Sequence, residues 1–185
     1  DISAPSCETF PAGTDCIASD FPSHTVDDVA FGPDGKLYVS IGDGASFDVV
    51  DPLALRALNL DSLNGKVLRI NTDGTAPSDN PFYNGDPTAN RSKVWNYGLR
   101  NPFRFNFRPA NGSLYIGDVG WFTWEEVNIG VAGANFGWPC HEGLVQTPGY
   151  DCISPGASDP LYTYGHDANG AGSVTGGAFY AGSVY

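Results

Sequence analysis

Apolar and polar residues alternate with a period of two along Phe103, Phe105 and Phe107, interleaved with Arg104, Asn106 and Arg108 and flanked by Pro102 and Pro109. The alternation predicts a half-buried strand, and the prolines exclude the helix that arginines four apart would otherwise suggest. The run continues through a turn, so that "FRFNFRPANGSLYIGDVG" (Phe103 to Gly120) echoes "DDVAFGPDGKLYVSIGDG" (Asp27 to Gly44). Each copy holds an alternating strand, a proline-containing turn closing at glycine, a Leu-Tyr strand, and then Gly-Asp. The two Leu-Tyr pairs, Leu37-Tyr38 and Leu114-Tyr115, are 77 residues apart. Two units in that interval would match the roughly 40-residue period of four-stranded propeller blades, whereas a sandwich would not repeat the register.

The remaining pattern is mostly strand and turn. "GKVLRINTDGT" predicts one strand and "GGAFYAGSVY" another, while only "PLALRALNLDSLNG" (Pro52 to Gly65) has enough Leu and Ala for about two turns of helix. Residues 71–91 and 139–173 read as long loops, and in a propeller such loops gather over one face, where sites are built. The expected class is therefore all-β, a portion of a propeller amounting to about four blades at about 40 residues each. Residues 1–23 are read as an N-terminal disulfide-bearing loop segment and 24–185 as the partial propeller domain. An open ring leaves sheet edges unprotected. The functional molecule is expected to be larger, the remaining blades coming from the same precursor or another chain, or the ring closing by oligomerisation.

Composition narrows the function classes. With 41% hydrophobic residues the 185-residue chain supports a real core, and 24 glycines, 14 prolines and only 16% charged residues favour short strands. Residues 1–35 and 109–185 carry seven acids each and no Lys or Arg, while 36–108 hold all nine bases against seven acids. A net charge of -12 without a basic patch argues against nucleic acid. The cationic middle is better suited to local recognition of an anion. No apolar run approaches the roughly 20 residues of a membrane span, and the absence of methionine suggests a processed or excerpted chain.

Four cysteines permit three pairings, of which the sequential one, Cys7 with Cys16 and Cys140 with Cys152, closes the shortest loops. Neither spacing suits a zinc site, so disulfides and a secreted, extracellular or periplasmic setting are expected. Asn90-Arg-Ser and Asn111-Gly-Ser have the form of glycosylation acceptors.

Five motifs, "HTVDDVAFGPDGKLYVSIGDG", "LNGKVLRINTDGTAPSDNPF", "YGLRNPFRFNF", "IGDVGWFTWEEVN" and "NFGWPCHEG", stand in the order found in the soluble PQQ-dependent sugar dehydrogenases, the glucose/sorbosone dehydrogenase family. The chain resembles that family from about His24 to Gly143, and more weakly through "YTYGHDANGAGSVTGGAFYAG". The resemblance implies a six-bladed propeller with pyrroloquinoline quinone (PQQ) and calcium on its loop face. It also implies oxidation of an aldose hydroxyl with hydride passing to the quinone, and a separate electron acceptor.

Residue by residue, the resemblance implies that His24 is the base and Asp43 the carboxylate orienting it. Arg100 and Asn101 would contact the cofactor, and the backbone carbonyls of Gly120 and Trp121 would ligate calcium. On residue type alone, His24 also reads as a structural histidine, Asp43 as a strand-end turn residue, and Arg100 as a tie between blades. Trp121 and Trp124 could stack on a sugar; Trp138 reads as blade packing, Asp118 as a turn residue, and His141 and His166 as loop residues. Glu125 and Glu126 read as a half-exposed acidic strand edge, or else a structural calcium site. The chain departs from the family at Ser23, where an acid is usual, and at Asp27, where glycine is common. It also has no Lys or Arg after Arg108, where the family places a lysine and paired arginines. A non-catalytic extracellular propeller, binding carbohydrate or protein or serving as a structural module, is the alternative.

Overall fold

The computed structural model describes residues 7, 14, 16–166 and 172–183. Strands β1 (Val26–Phe31) and β2 (Leu37–Ile41) form an antiparallel hairpin in which Phe31 faces Leu37. Its Gly-Pro-Asp-Gly turn closes as Gly32 N–H donates to the Lys36 carbonyl at 2.8 Å, with Gly35 at φ +73°, a left-handed conformation natural to glycine. A 3-10 helix (Pro52–Leu58) precedes β3 (Lys66–Ile70), and a one-turn helix α1 (Asn90–Lys93) leads into β4 (Val94–Tyr97). Together they complete a four-stranded antiparallel sheet in the order β1-β2-β3-β4.

The hairpin then recurs. In β5 (Arg104–Phe107) and β6 (Leu114–Asp118), Phe107 faces Leu114, and Gly112 at φ +72° takes the place of Gly35. β7 (Trp124–Ile129) pairs with β6, and a small hairpin of β8 (His141–Glu142) and β9 (Val145–Gln146) follows. β10 (Tyr162–Gly165) completes a second sheet in the order β5-β6-β7-β10.

The sequence echo is thus the opening hairpin of two successive blades, and its 77-residue interval holds one blade rather than two. Two four-stranded sheets form among the described residues, not about four, because long connections separate their strands: residues 42–65 and 71–93 in the first sheet and 130–161 in the second, with 71–93 lying at the end away from His24. Residues 139–173 are correspondingly less loop-like than expected, since β8, β9 and β10 lie within them. The helical stretch is 3-10, started by Pro52 and by Asp51, whose side chain accepts from Leu53 N–H. No strand forms over residues 176–183; the segment lies against β5 and β6, with Gly176 beside Arg104 and Phe179 edge-on to Tyr115 at 4.9 Å.

The main core fills the space between the sheets, gathering Tyr38, Val67, Leu99, Phe105, Leu114, Ile116 and Phe136. Tyr38 meets the Phe107 ring edge-on at 4.9 Å. The first strands of the two sheets are neighbours, with Phe105 N–H donating to Asp28 Oδ2 at 3.2 Å. On the other side of β1, Val29 and Phe31 are 51% and 63% exposed, an apolar face that the described residues leave uncovered.

Lys66 is wholly buried at the start of β3, where Nζ donates to the carbonyls of Arg56 (3.1 Å), Ala57 (2.7 Å) and Asn64 (2.6 Å). It caps the end of the 3-10 helix, and the three carbonyls replace the ammonium's water. Burial drives its pKa well below the ordinary lysine range. Both cysteine pairs close sequentially, Cys7 with Cys16 and Cys140 with Cys152. No helix among the described residues is long and apolar enough to cross a membrane.

Candidate active site

The loops at one end of the two sheets bring His24, Asp43, Arg100 and Asn101 together. His24 enters β1 from a left-handed backbone conformation (φ +56°), uncommon for a side-chain-bearing residue. Gly42 makes this possible, because a Cβ there would stand 2.6 Å from the His24 backbone. His24 is buried, and its Nδ1 lies 2.9 Å from Asp43 Oδ1. A carboxylate only accepts, so Nδ1 carries the proton in this bond, and in the neutral imidazole Nε2 is the nitrogen with the free lone pair.

Asp43 is itself fixed by two further donors, Ala45 N–H to Oδ1 at 3.0 Å and Trp138 Nε1–H to Oδ2 at 2.8 Å. Trp138 is therefore more than blade packing. It aims the carboxylate that aims the imidazole, and its ring lies 5.5 Å from the Arg100 guanidinium carbon. The residue pattern gave no sign of this, since the contact spans 95 positions.

Arg100 and Asn101 sit at the junction of the blades. Asp43 N–H donates to the Arg100 carbonyl at 2.8 Å, while the Arg100 and Asn101 N–H groups donate to the two Asp118 oxygens at 3.0 and 2.7 Å. Asp118 thus clamps this segment instead of making the turn expected of it. The Arg100 guanidinium is buried; its NH1 donates to the Val119 carbonyl at 3.0 Å and the Gly120 carbonyl at 2.6 Å. Arg100 Nε and Asn101 Oδ1 remain buried without a partner. Burial lowers the Arg100 pKa, against the opposing pull of Asp43, Asp118, Glu142 and Glu125.

The loop after β6 is held from the other side. Glu142, buried in β8, accepts at Oε1 the N–H groups of Trp121, Phe122, Thr123 and Trp124 at 2.6, 3.0, 3.0 and 3.1 Å. Sequence reasoning missed Glu142, which lies in a stretch that reads as loop. Trp121 stacks on the exposed Phe122 at 4.2 Å and donates Nε1–H to the Phe47 carbonyl at 2.9 Å. Trp124 instead packs against Gly143 of the small hairpin.

Glu125 and Glu126 are buried, 0% and 6% exposed, in place of the expected half-exposed edge. Glu125 meets His166 Nε2 at 2.6 Å and accepts from Val174 N–H at 2.8 Å; Glu126 accepts from Gly143 N–H at 2.7 Å and Asn128 Nδ2 at 3.0 Å. No cluster of three or more His, Cys, Asp or Glu side chains is arranged to hold a metal among the described residues. Asn90 is also buried, its amide donating to the Asp61 carbonyl at 3.0 Å, which removes it as an accessible glycan acceptor; Asn111 is exposed.

Burial pushes two carboxyl groups up to about 7, Asp27 and Glu126. Asp27 is pulled back in part by Arg104 and raised further by Asp28 and Asp43, and its Oδ2 has no partner. Raised native pKa values mean that the folded state binds more protons than the unfolded one from about pH 4 to about pH 7, so stability falls as pH rises through that window. The full-length protein should lose several degrees of thermal midpoint between about pH 5 and about pH 8, and Glu126→Gln should flatten that slope when followed by circular dichroism.

Residues 16–185 match the model of the Glucose / Sorbosone dehydrogenase family. The HIPL1 protein of Arabidopsis thaliana is 34% identical over 188 residues, covering 86% of this chain and 26% of its own length. Quinoprotein glucose dehydrogenase B of Acinetobacter calcoaceticus is 34% identical over 160 residues, 78% of this chain and 32% of that protein. The PQQ-bound aldose sugar dehydrogenase of Streptomyces coelicolor superposes with a TM-score of 0.59 at 30% identity, over 77% of this chain and 36% of that one. The chain therefore spans about a quarter to just over a third of the length of these relatives, whose fold is a β-propeller. With its two antiparallel blades and the polar junction between them, the chain belongs to the glucose/sorbosone dehydrogenase family and carries part of its propeller.

Proposed function

We propose that this chain forms the base side of a PQQ-dependent aldose dehydrogenase whose remaining blades complete the site. The observation that carries the reading is the bond series Trp138–Asp43–His24 beside a buried guanidinium with an unused N–H. An anionic, carbonyl-rich cofactor suits the charged donor at Arg100 Nε, which is otherwise stranded away from water; the unpartnered Asn101 Oδ1 would take an N–H of the bound group. PQQ, when bound, supplies the hydride acceptor. His24 takes the proton of the sugar hydroxyl at Nε2, and Asp43 holds the tautomer and stabilises the imidazolium that results. A separate electron acceptor completes the turnover, and the two disulfides accord with a secreted or periplasmic enzyme.

Calcium does not fit on Gly120 as the loop stands. The Gly120 carbonyl already receives the Arg100 guanidinium at 2.6 Å, and a divalent ion on the same oxygen would face that charge at close range.

Titrating PQQ into the full-length protein, with and without calcium, tests the reading through the quinone absorbance. A saturable red-shifted band, and reduction of a dye on adding an aldose, are expected. A flat titration would overturn the enzyme reading in favour of a non-catalytic propeller.

A further inference from the structure

The Gly120–Trp121 peptide is bonded at both ends to buried charge. Its N–H donates to Glu142 Oε1 at 2.6 Å and its carbonyl accepts from Arg100 NH1 at 2.6 Å. In a planar trans peptide these groups point in opposite directions, so fixing one aims the other. We propose that Glu142 is a positioning residue for Arg100, acting through this peptide, and that it sets where the unused Nε–H points for an anionic ligand; the ligand's identity rests on the reading above.

Four observations, together with the strength of charged hydrogen bonds, converge on this role. Glu142 Oε1 collects four successive N–H groups, Trp121 to Trp124, so one carboxylate oxygen organises the whole loop. Charge at each end of the shared peptide strengthens both bonds relative to neutral ones. Gly120 cannot be replaced without movement, because a Cβ there would run into the Trp124 carbonyl. Glu142 is in turn anchored two residues after Cys140, whose disulfide to Cys152 ties the small hairpin down. With NH1 committed to Val119 and Gly120, the guanidinium has a single orientation in which Nε is buried and free of protein partners.

The test uses the full-length protein, PQQ as the probe, and the variants Glu142→Gln, Glu142→Leu and Arg100→Lys. Glutamine keeps the acceptor oxygen and loses the charge; leucine loses both. Glu142→Leu should raise the PQQ dissociation constant by about 10- to 100-fold and move the bound absorption maximum toward that of free PQQ, while Glu142→Gln should stay within about 3-fold of wild type. The double variant of Glu142→Leu with Arg100→Lys should bind no worse than Arg100→Lys alone, since the carboxylate acts through that arginine. Should Glu142→Leu fail to fold, the same comparison is made with Glu142→Gln, whose smaller effect must vanish on the Arg100→Lys background. Wild-type affinity and spectrum in Glu142→Leu, or effects that multiply in either double variant, would overturn the positioning role alone. A wild-type protein that does not bind PQQ would overturn the functional reading and this inference with it.

Discussion

Replacing His24 with glutamine in the full-length protein should lower the turnover number by about 10²- to 10⁴-fold, the usual contribution of positioned acid–base catalysis. Glutamine preserves a polar group facing Asp43 but has no site that takes up a proton near neutral pH. Steady-state kinetics with an aldose and a dye acceptor would measure the loss, with a much smaller change in KM if sugar binding relies on other groups. The left-handed backbone at His24 adds a complication, because long side chains are uncommon there. Asparagine tolerates that conformation better, so His24→Asn serves as the fold-preserving control and should be equally inactive. Turnover near the wild-type value in both variants would remove His24 from the chemistry.

The second large effect is expected at Asp43. Three N–H groups converge on its carboxylate, from His24, Ala45 and Trp138, and none of its bonds requires a donor in return. Asp43→Asn replaces one acceptor by an NH2 group, which must then oppose a donor. If it faces Trp138, the indole N–H is left buried and unsatisfied, at about 1–3 kcal/mol of stability. If it faces His24, the imidazole turns to the other tautomer, and Nε2 becomes a donor that cannot take the hydroxyl proton. The corresponding change in serine protease triads costs about 10⁴-fold, so a loss of about 10²- to 10⁴-fold is expected here. The pH profile separates this from simple destabilisation: loss of the carboxylate removes stabilisation of the imidazolium, so the acidic limb of kcat/KM should move to lower pH. An unmoved limb with a proportionate loss of folded protein would assign Asp43 to structure alone.

Local pattern carried the hairpins because each of their determinants is local. Period-two alternation, a proline in the turn, and glycine two residues before Leu37 and Leu114 suffice to specify register. Blade number was not readable in the same way, since β3 and β10 are separated from their neighbouring strands by loops whose length the alternation does not constrain. Glu125 and Glu126 misled for a related reason. A strand between two others in a packed blade buries both faces, so adjacent acids are buried together when the loops supply N–H groups to meet them. The pairing of His24 with Asp43 became legible through family resemblance, and its support by Trp138 and the clamp by Glu142 became visible only in three dimensions.

The two echoing hairpins differ in the length of their second arm, counted to its aspartate. Both start from the same Phe-Leu register, yet the Gly-Asp pair ends six residues after Leu37 in the first and four after Leu114 in the second. The two extra residues carry Asp43 past the end of β2 at Ile41 into the loop beside His24, whereas Asp118 is the last residue of β6. One aspartate therefore stops beneath the Arg100-Asn101 backbone and holds it, while the other reaches the imidazole. A dipeptide of added length in one of two like hairpins thus separates an aspartate that fastens backbone from one that bonds an imidazole.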